Sequence, residues 1–197
     1  LTMVGSPDFG DRAAQGQVNA ALARRQPGSA LKPLTYALAL AGDWTAATTI
    51  LDVPSSFPGA AGRPYTPENY DGMFHGPLSL REALATSSNV AAVRTLDHVG
   101  APALLDLAAR LGVNTLGRDA ARYGLSLTLG SGEVTPLELT AAYAAFANGG
   151  ERVTPYPVRA IADAAGRPLP TGALGPRPRA RELSPQVAYL IGDILSD

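Results

Sequence analysis

The sequence predicts one domain in which helices and strands are mixed, and three observations support this prediction. The chain has 197 residues, of which 46% are apolar, which suits one globular domain of ordinary size with a substantial core. Several segments combine apolar residues at helical spacing with N-capping residues. The stretches 1–6 and 153–162 have strand-like patterns.

Two capping boxes mark the starts of predicted helices. Ser79 with Glu82, and Thr135 with Glu138, each pair an N-cap hydroxyl with a carboxylate three residues later. In chain order we predict a strand at 1–6, a turn at 7–10, a weak helix at 12–23, a helix at 29–40, an irregular excursion at 43–77, a short helix after Ser79, helices at 90–98, 102–111 and 136–148, a strand at 153–162, a turn at 164–167, a Pro/Gly/Arg-rich stretch at 168–181 and a last helix after Ser184.

The composition excludes several classes of function. The net charge is −1 and the arginines are scattered, whereas a nucleic-acid-binding surface needs a basic face. The chain has no cysteine, which excludes disulfides, thiolate chemistry and cysteine-based metal sites. Its two histidines are too isolated to indicate a metal site. We therefore predict no nucleic-acid partner, no metal and no cofactor.

Lys32 is the only lysine of the chain, whereas arginine occurs fifteen times. A guanidinium with a pKa above roughly 12 cannot act as a base at neutral pH, but a desolvated ammonium can. A single lysine among so many arginines therefore indicates proton chemistry at this position.

Ser29 lies three residues before Lys32, on the same face of the predicted helix. Residues at this spacing are about 5–6 Å apart at Cβ, so a neutral amine can reach the hydroxyl. The start of a helix also favours developing negative charge. The pKa of the lysine must fall by about three units for it to act as a base near pH 7. Because Ser-x-x-Lys alone is a weak pattern, the alternative is an N-capping serine followed by a surface lysine.

The second candidate element is Ser87, Ser88 and Asn89, on a tight turn between two predicted helices. The Ser87 hydroxyl can relay a proton, and the Asn89 amide can hold both the lysine and a substrate carbonyl. Ser88, between them, is a candidate substrate-binding residue. The alternative is a plain helix break with Asn89 as the N-cap of the next helix.

A third segment, the glycine-rich loop 123–136, is interpreted as structural. It enters a capped helix and could cradle a phosphate, but it lacks a following Lys-Ser/Thr and fits no dinucleotide pattern.

Several stretches together resemble the transpeptidase domain of class A penicillin-binding proteins. Residues 25–33, Arg-Gln-Pro-Gly-Ser-Ala-Leu-Lys-Pro, are similar to the active-site serine motif of that family. Residues 69–84, from Asn-Tyr-Asp-Gly to Arg-Glu-Ala-Leu, resemble its approach to the second motif, and residues 87–89 match that motif, Ser-x-Asn. Residues 129–139 are similar to a further characteristic segment. Order and spacing agree over nearly the whole chain.

The resemblance implies an α+β fold like that of penicillin-binding proteins and β-lactamases. In it, an antiparallel sheet is flanked by helices, and an all-helical lobe carries the Ser-x-Asn turn. The implied activity is that of a bacterial peptidoglycan D,D-transpeptidase. Ser29 would attack the D-Ala-D-Ala carbonyl of a stem peptide and release D-Ala, and Lys32 would take the serine proton. Ser87 would pass that proton to the leaving D-alanine, while Asn89 would orient the substrate.

The same resemblance implies partners and a location. An amine of a neighbouring stem peptide would resolve the acyl-enzyme, and β-lactams would acylate the same serine. A glycosyltransferase domain upstream, and a single membrane anchor beyond it, would place the parent protein on the extracytoplasmic face of the bacterial cell envelope.

The sequence departs from the family pattern at the third motif, Lys-Thr-Gly. Lys32 is already assigned, and the only Thr-Gly pair, at 171–172, lies in the Pro/Gly-rich stretch. In the family this motif follows the helix with which the present sequence ends. We therefore expect residues 1–197 to be the N-terminal and major portion of one transpeptidase domain, with an incomplete sheet and without the C-terminal strands.

The missing strand also furnishes part of the oxyanion hole. Loss of one such donor lowers the rate about 100–1,000-fold. The chain alone is accordingly expected to be weak or inactive unless a companion chain or a C-terminal segment completes the sheet.

Two alternatives stay open. The first is a β-lactamase or D,D-carboxypeptidase of the same superfamily, although a class A β-lactamase needs Ser-Asp-Asn and a carboxylate that activates water, and neither is evident. The second is a non-catalytic peptidoglycan-binding scaffold, against which the single lysine speaks.

Overall fold

The structure is a computed structural model that describes residues 3–59 and 63–197. Six α-helices lie in this part of the chain: α1 Lys32–Ala41, α2 Leu80–Ala85, α3 Asn89–Val99, α4 Ala101–Arg110, α5 Pro136–Ala147 and α6 Pro185–Ile194. Short 3-10 helices occupy Gly28–Leu31, Ala120–Arg122, Gly124–Leu129 and Gly172–Leu174. None of the described helices is long and apolar enough to cross a membrane.

Helix α1 lies at the centre of the domain. After Lys32 it has no charged residue, and apolar side chains cover all of its faces, which is typical of a buried helix. Leu34, Tyr36 and Ala37 are fully buried. Helices α3, α4 and α6 pack around α1, so the start of this helix is held on several sides.

The strands are short and form separate two-stranded antiparallel pairs within the described residues. They are β1 Thr49–Asp52, β2 Phe57–Pro58, β3 Pro64–Tyr65, β4 Gly76–Ser79, β5 Glu151–Arg152, β6 Ile161–Ala162, β7 Pro168–Leu169 and β8 Ala180–Arg181. β1 pairs with β4, β2 with β3, β5 with β8, and β6 with β7. The α+β class is confirmed, and the sheets are incomplete, as expected.

The β1–β4 pair positions the functional region. Its register sets Thr49 opposite Ser79 and Asp52 opposite Gly76. β4 runs directly into α2, so this pair fixes where α2 begins.

The capping signals predicted the helices well. Both capping boxes are formed, at the starts of α2 and α5. The hydroxyl of Ser184 accepts from the Val187 amide at the start of α6, as predicted. The predicted helix at 29–40 is present as the 3-10 turn Gly28–Leu31 followed by α1.

Four other predictions were wrong. Residues 3–6 are irregular rather than a strand, and residues 1–2 lie outside the described part. Residues 12–23 form turns, because Gln15 has a φ of +55°, a left-handed conformation that interrupts a right-handed helix. The stretch 43–77 is not irregular throughout, because it contains β1 to β3 and the first residues of β4. Of the predicted strand 153–162, only Ile161–Ala162 is extended and paired.

Candidate active site

Ser29 lies in the 3-10 turn Gly28–Leu31, which leads directly into α1. Gly28 has a φ of +58°, a left-handed conformation that glycine adopts without steric cost. This turn leaves the Ser29 side chain exposed. Within the described part of the chain, the Ser29 hydroxyl makes no hydrogen bond, so the bond to the Lys32 amine that the three-residue spacing allows is not formed, because that amine faces Ser87 and Asn89 instead.

Lys32, one helical turn later, is buried, with an exposed fraction of 1%. Its Nζ donates to three oxygens: the Ser87 carbonyl at 2.5 Å, the Ser87 Oγ at 3.0 Å and the Asn89 Oδ1 at 2.7 Å. Burial lowers the pKa of Lys32 from 10.5 to about 8. At neutral pH the group is therefore mainly an ammonium, but a useful fraction of neutral amine is present.

Ser87, which supplies two of these oxygens, has an unusual backbone conformation. Ser87 has a φ of +58°, its amide donates to Leu84 O at 3.0 Å, and the Ser88 amide donates to Ala83 O at 3.0 Å. This pair of bonds is a Schellman motif, whose left-handed position usually holds glycine. A serine there costs about 1 kcal/mol of backbone strain, and such strain persists where the surroundings impose it.

Ser88 and Asn89 begin helix α3. Ser88 is the N-cap, since its Oγ accepts from the Ala91 amide at 3.1 Å, and its exposed fraction is 6%. Asn89 is the first helical residue rather than the N-cap, which corrects that alternative. The Ser88 hydroxyl is thus occupied by the helix, and the substrate contact predicted for Ser88 stays a prediction without a contact that supports it.

The Asn89 amide has a fixed orientation. Its Oδ1 accepts from Lys32, and its Nδ2 donates to the Glu68 carbonyl at 2.8 Å. Since Nδ2 carries two hydrogens, one remains for another acceptor. This amide can therefore hold the lysine and a substrate carbonyl at the same time.

The glycine-rich loop 123–136 supports the serine turn from behind. Backbone amides and carbonyls of Arg25 and Val134 exchange two hydrogen bonds, each 3.0 Å long. Gly130 lies against Gly28 so closely that a Cβ at Gly130 would fall on the Gly28 backbone. From α5, which follows this loop, the Tyr143 hydroxyl donates to Ala30 O at 2.8 Å. These contacts agree with the structural interpretation of the loop.

A buried polar group behind the Ser-x-Asn turn was missed from the sequence. Asn69, with an exposed fraction of 8%, accepts from the Asn89 amide at 2.8 Å and donates to the buried carboxylate of Asp52. Asn69 falls in the stretch that resembles the family, but that signal gave it no role. Only the pairing of β1 with β4 brings Asp52 to this place.

A family profile matches the whole chain, and known proteins of that family match most of it. The profile described as "Transpeptidase: Penicillin binding protein transpeptidase domain" matches residues 1–197. Penicillin-binding protein 1A of Neisseria lactamica is 37% identical over 203 residues, covering 99% of this chain and 24% of that protein. Penicillin-binding protein 1A of Aquifex aeolicus is 42% identical over 159 residues, covering 79% of this chain and 21% of that protein. The chain thus spans about a quarter of the length of these curated relatives.

Solved structures show the same fold. Penicillin-binding protein 1A from Haemophilus influenzae superposes with a TM-score of 0.77 at 27% identity, covering 92% of this chain and 31% of that chain. The imipenem acyl-enzyme complex of penicillin-binding protein A from M. tuberculosis superposes with a TM-score of 0.75 at 28% identity, covering 94% and 46% respectively.

Proposed function

Since the chain belongs to the penicillin-binding protein transpeptidase domain family, we propose that it carries the acylation site of a peptidoglycan D,D-transpeptidase, with Ser29 as the nucleophile. The observation that supports this most directly is the set of contacts of Lys32. A buried amine with a lowered pKa lies one helical turn after an exposed serine, and it contacts Ser87 and Asn89 of the Ser-x-Asn turn.

The three oxygens around Lys32 differ in one chemical respect. The Ser87 carbonyl and the Asn89 Oδ1 can only accept a hydrogen bond, whereas the Ser87 hydroxyl can also donate one. When the ammonium loses a proton it keeps two N–H donors and gains a lone pair. The two acceptor-only oxygens can then hold both N–H groups, while the Ser87 hydroxyl changes from acceptor to donor. Ser87 is thus the neighbour suited to relay a proton.

The proposed acylation uses these properties in sequence. On substrate binding, neutral Lys32 turns its lone pair from the Ser87 hydroxyl to the Ser29 hydroxyl, and it takes the Ser29 proton as Oγ forms a bond to the carbonyl carbon of D-Ala-D-Ala. The tetrahedral intermediate collapses and the C–N bond breaks. The Ser87 hydroxyl gives its proton to the leaving nitrogen and receives one from the Lys32 ammonium, so free D-alanine leaves and the amine is neutral again.

Resolution of the acyl-enzyme reverses these proton transfers. An amine of a neighbouring stem peptide attacks the ester carbon, its proton passes through Ser87 to Lys32, and the Ser29 oxygen leaves with a proton from the lysine. β-Lactams are proposed to acylate the same serine, and the M. tuberculosis relative forms an acyl-enzyme complex with imipenem. The remaining N–H of Asn89 is proposed to orient the substrate carbonyl.

The proposal extends to the whole protein that carries this chain. We place it in the bacterial cell envelope with its transpeptidase domain on the extracytoplasmic face, and residues 1–197 form the larger part of that domain. Because the sequence contains no Lys-Thr-Gly, the chain by itself is proposed to be weak or inactive until a further segment or companion chain completes the sheet.

A fluorescent penicillin applied to the full-length protein tests the proposal. We expect a covalent adduct on Ser29 that persists for many minutes and is absent in Ser29→Ala. Rapid release of hydrolysed penicillin would favour a β-lactamase, and equal labelling of Ser29→Ala would favour a scaffold. With a D-Ala-D-Ala stem peptide and an added amine acceptor, transfer to the amine supports the transpeptidase, whereas hydrolysis alone supports a D,D-carboxypeptidase.

A further inference from the structure

We propose that Asn69 is a positioning residue for the acylation reaction, acting through Asn89. This inference rests on the proposed function of Lys32 and Asn89. Asn69 lies in the loop between β3 and β4. Among the described residues, it makes no hydrogen bond to Ser29 or to Lys32. Its side chain instead meets the first turn of α3, where Asn89 is anchored.

The side-chain carbonyl oxygen of Asn69 faces the start of α3. Its Oδ1 accepts from the Asn89 amide at 2.8 Å, the Val90 amide at 3.3 Å and the Ser88 hydroxyl at 3.3 Å. These first-turn amides have no partner within the helix, so an outside acceptor fixes where the helix begins. The neighbouring Glu68 carbonyl accepts from the Asn89 Nδ2 at 2.8 Å.

Residues 68 and 69 therefore hold Asn89 at two points. One contact fixes its backbone amide and the other fixes its side-chain amide, and together they leave the Asn89 Oδ1 pointing at Lys32. A shift of this loop would move the oxygen that accepts from the lysine. Misplacement by about 1 Å of a group near the reaction can lower the rate about 100-fold.

The other half of the Asn69 amide determines which way the side chain points. Its Nδ2 is 2.8 Å from each carboxylate oxygen of Asp52 and from the Met73 carbonyl. Asp52 is fully buried and also accepts from the His75 amide at 3.3 Å, with His75 Nδ1 at 3.0 Å. A carboxylate and a carbonyl can only accept, so they require the amide nitrogen on their side.

This complementarity explains why an amide, and not an acid, occupies position 69. A carboxylate at this position would keep an acceptor for the α3 amides but would set an oxygen against the Asp52 carboxylate. Exchanging the two residues would restore the donor between positions 52 and 69, but the carboxylate at position 69 would lie against the Met73 carbonyl, so the recovery should be incomplete. The amide placed at position 52 would then donate to the carboxylate placed at position 69, and it would still offer an oxygen to the His75 amide.

The test measures the second-order rate constant for acylation of the full-length protein by a fluorescent penicillin, with thermal melts to verify folding. We expect Asn69→Asp to lower the acylation rate constant about 100-fold. The exchange variant Asp52→Asn with Asn69→Asp should return to within about tenfold of wild type. The matched control is Asn148→Asp, at an exposed site whose side chain makes no hydrogen bond in the described part of the chain, and its rate should be unchanged.

A double-mutant cycle separates positioning from a general loss of structure. If Asn69 acts through Asn89, Asn69→Asp should change the rate less than about threefold in an Asn89→Ala background. An equal loss in both backgrounds, or a folded Asn69→Asp protein with the wild-type rate, would overturn the inference. If Asn69→Asp does not fold, a folded exchange variant that acylates about 100-fold more slowly than wild type would also overturn it.

The outcomes for this inference and for the proposed function differ. Wild-type protein that is not labelled at Ser29 contradicts the proposed function and this inference together. Labelled wild-type protein with an unaffected Asn69→Asp variant contradicts the role of Asn69 alone.

Discussion

Ser87 presents both of its oxygens to Lys32, with the carbonyl at 2.5 Å and the hydroxyl at 3.0 Å from Nζ. The same residue has a left-handed backbone, with a φ of +58°. Ser87 thus combines a strained backbone with a contact to Lys32. Substitutions at Ser87 can separate the effect on stability from the effect on activity.

Replacing Ser87 with Gly or with Ala should have equal effects on activity and different effects on stability. Both changes remove the hydroxyl, so acylation by a fluorescent penicillin should fall about 100-fold or more in each. Gly relieves the left-handed strain and should be about 1 kcal/mol more stable than Ala, by urea unfolding. If Ala and Gly were equally stable, Ser87 would not be strained as described.

Replacing Lys32 with a residue that cannot become a neutral amine should slow acylation strongly, even when a positive charge remains. Lys32→Arg keeps a cation, and Lys32→Met keeps most of the length of the side chain without a charge; each should slow labelling of Ser29 by about 100-fold or more. The exposed Arg167→Lys makes the reverse exchange on the β6–β7 hairpin and serves as the control. Substantial labelling of a folded Lys32→Arg protein would show that the charge alone is sufficient.

The rate of acylation should rise with pH around the pKa of Lys32. With that pKa near 8, about one tenth of the amine is neutral at pH 7 and about nine tenths at pH 9. The rate constant for penicillin should therefore increase about tenfold between these pH values and then level off. A rate that is flat from pH 7 to pH 9 would contradict a general-base role for this amine.

The same pKa predicts how stability depends on pH. Folding lowers the pKa of Lys32 from 10.5 to about 8, so between these values the unfolded chain binds more protons than the folded one. The free energy of unfolding should then rise with pH across this window, by at most about 1.4 kcal/mol per unit. Below pH 8 the full cost of burying the charge is present, and above pH 10.5 it is gone.

The difference in unfolding free energy between wild type and Lys32→Met isolates this contribution, because other groups titrate in both proteins. Wild type should gain relative to the variant from about pH 8 to about pH 10 in urea unfolding. A constant difference over that range would mean that Lys32 keeps its ordinary pKa.

Contact between Gly130 and Gly28 should be essential for the serine turn. Gly130→Ala adds a Cβ onto the Gly28 backbone at a φ of +79°, so we expect a loss of stability of more than about 2 kcal/mol and slower acylation. Gly149→Ala, with a φ of +63° and open space around its Cβ, incurs only the backbone strain of about 1 kcal/mol. Equal effects in thermal melts and labelling would rule out a supporting role for the contact.

The sequence predicted the helices best where a local signal was complete. The boxes at Ser79 and Thr135 needed only residues three positions apart, and both are present. The strands were predicted poorly, because β1 finds its partner β4 across a long excursion and two-residue strands leave no alternating pattern. The predicted helix at 12–23 is absent for a different reason, since Gln15 has a left-handed backbone that interrupts it.

The sequence alone determined that Ser29 and Lys32 share one turn, because residues three apart on a helix are neighbours, and that the only lysine stands there. It also showed the Ser-x-Asn turn, but not where that turn lies. The tertiary structure decided that Lys32 bonds to Ser87 and Asn89, 55 and 57 residues away, and that burial lowers its pKa. Only the tertiary structure showed the contacts of Asn69 as well. A hydrogen bond between distant segments depends on how α1, α3 and the β1–β4 pair pack, and no local pattern encodes that packing.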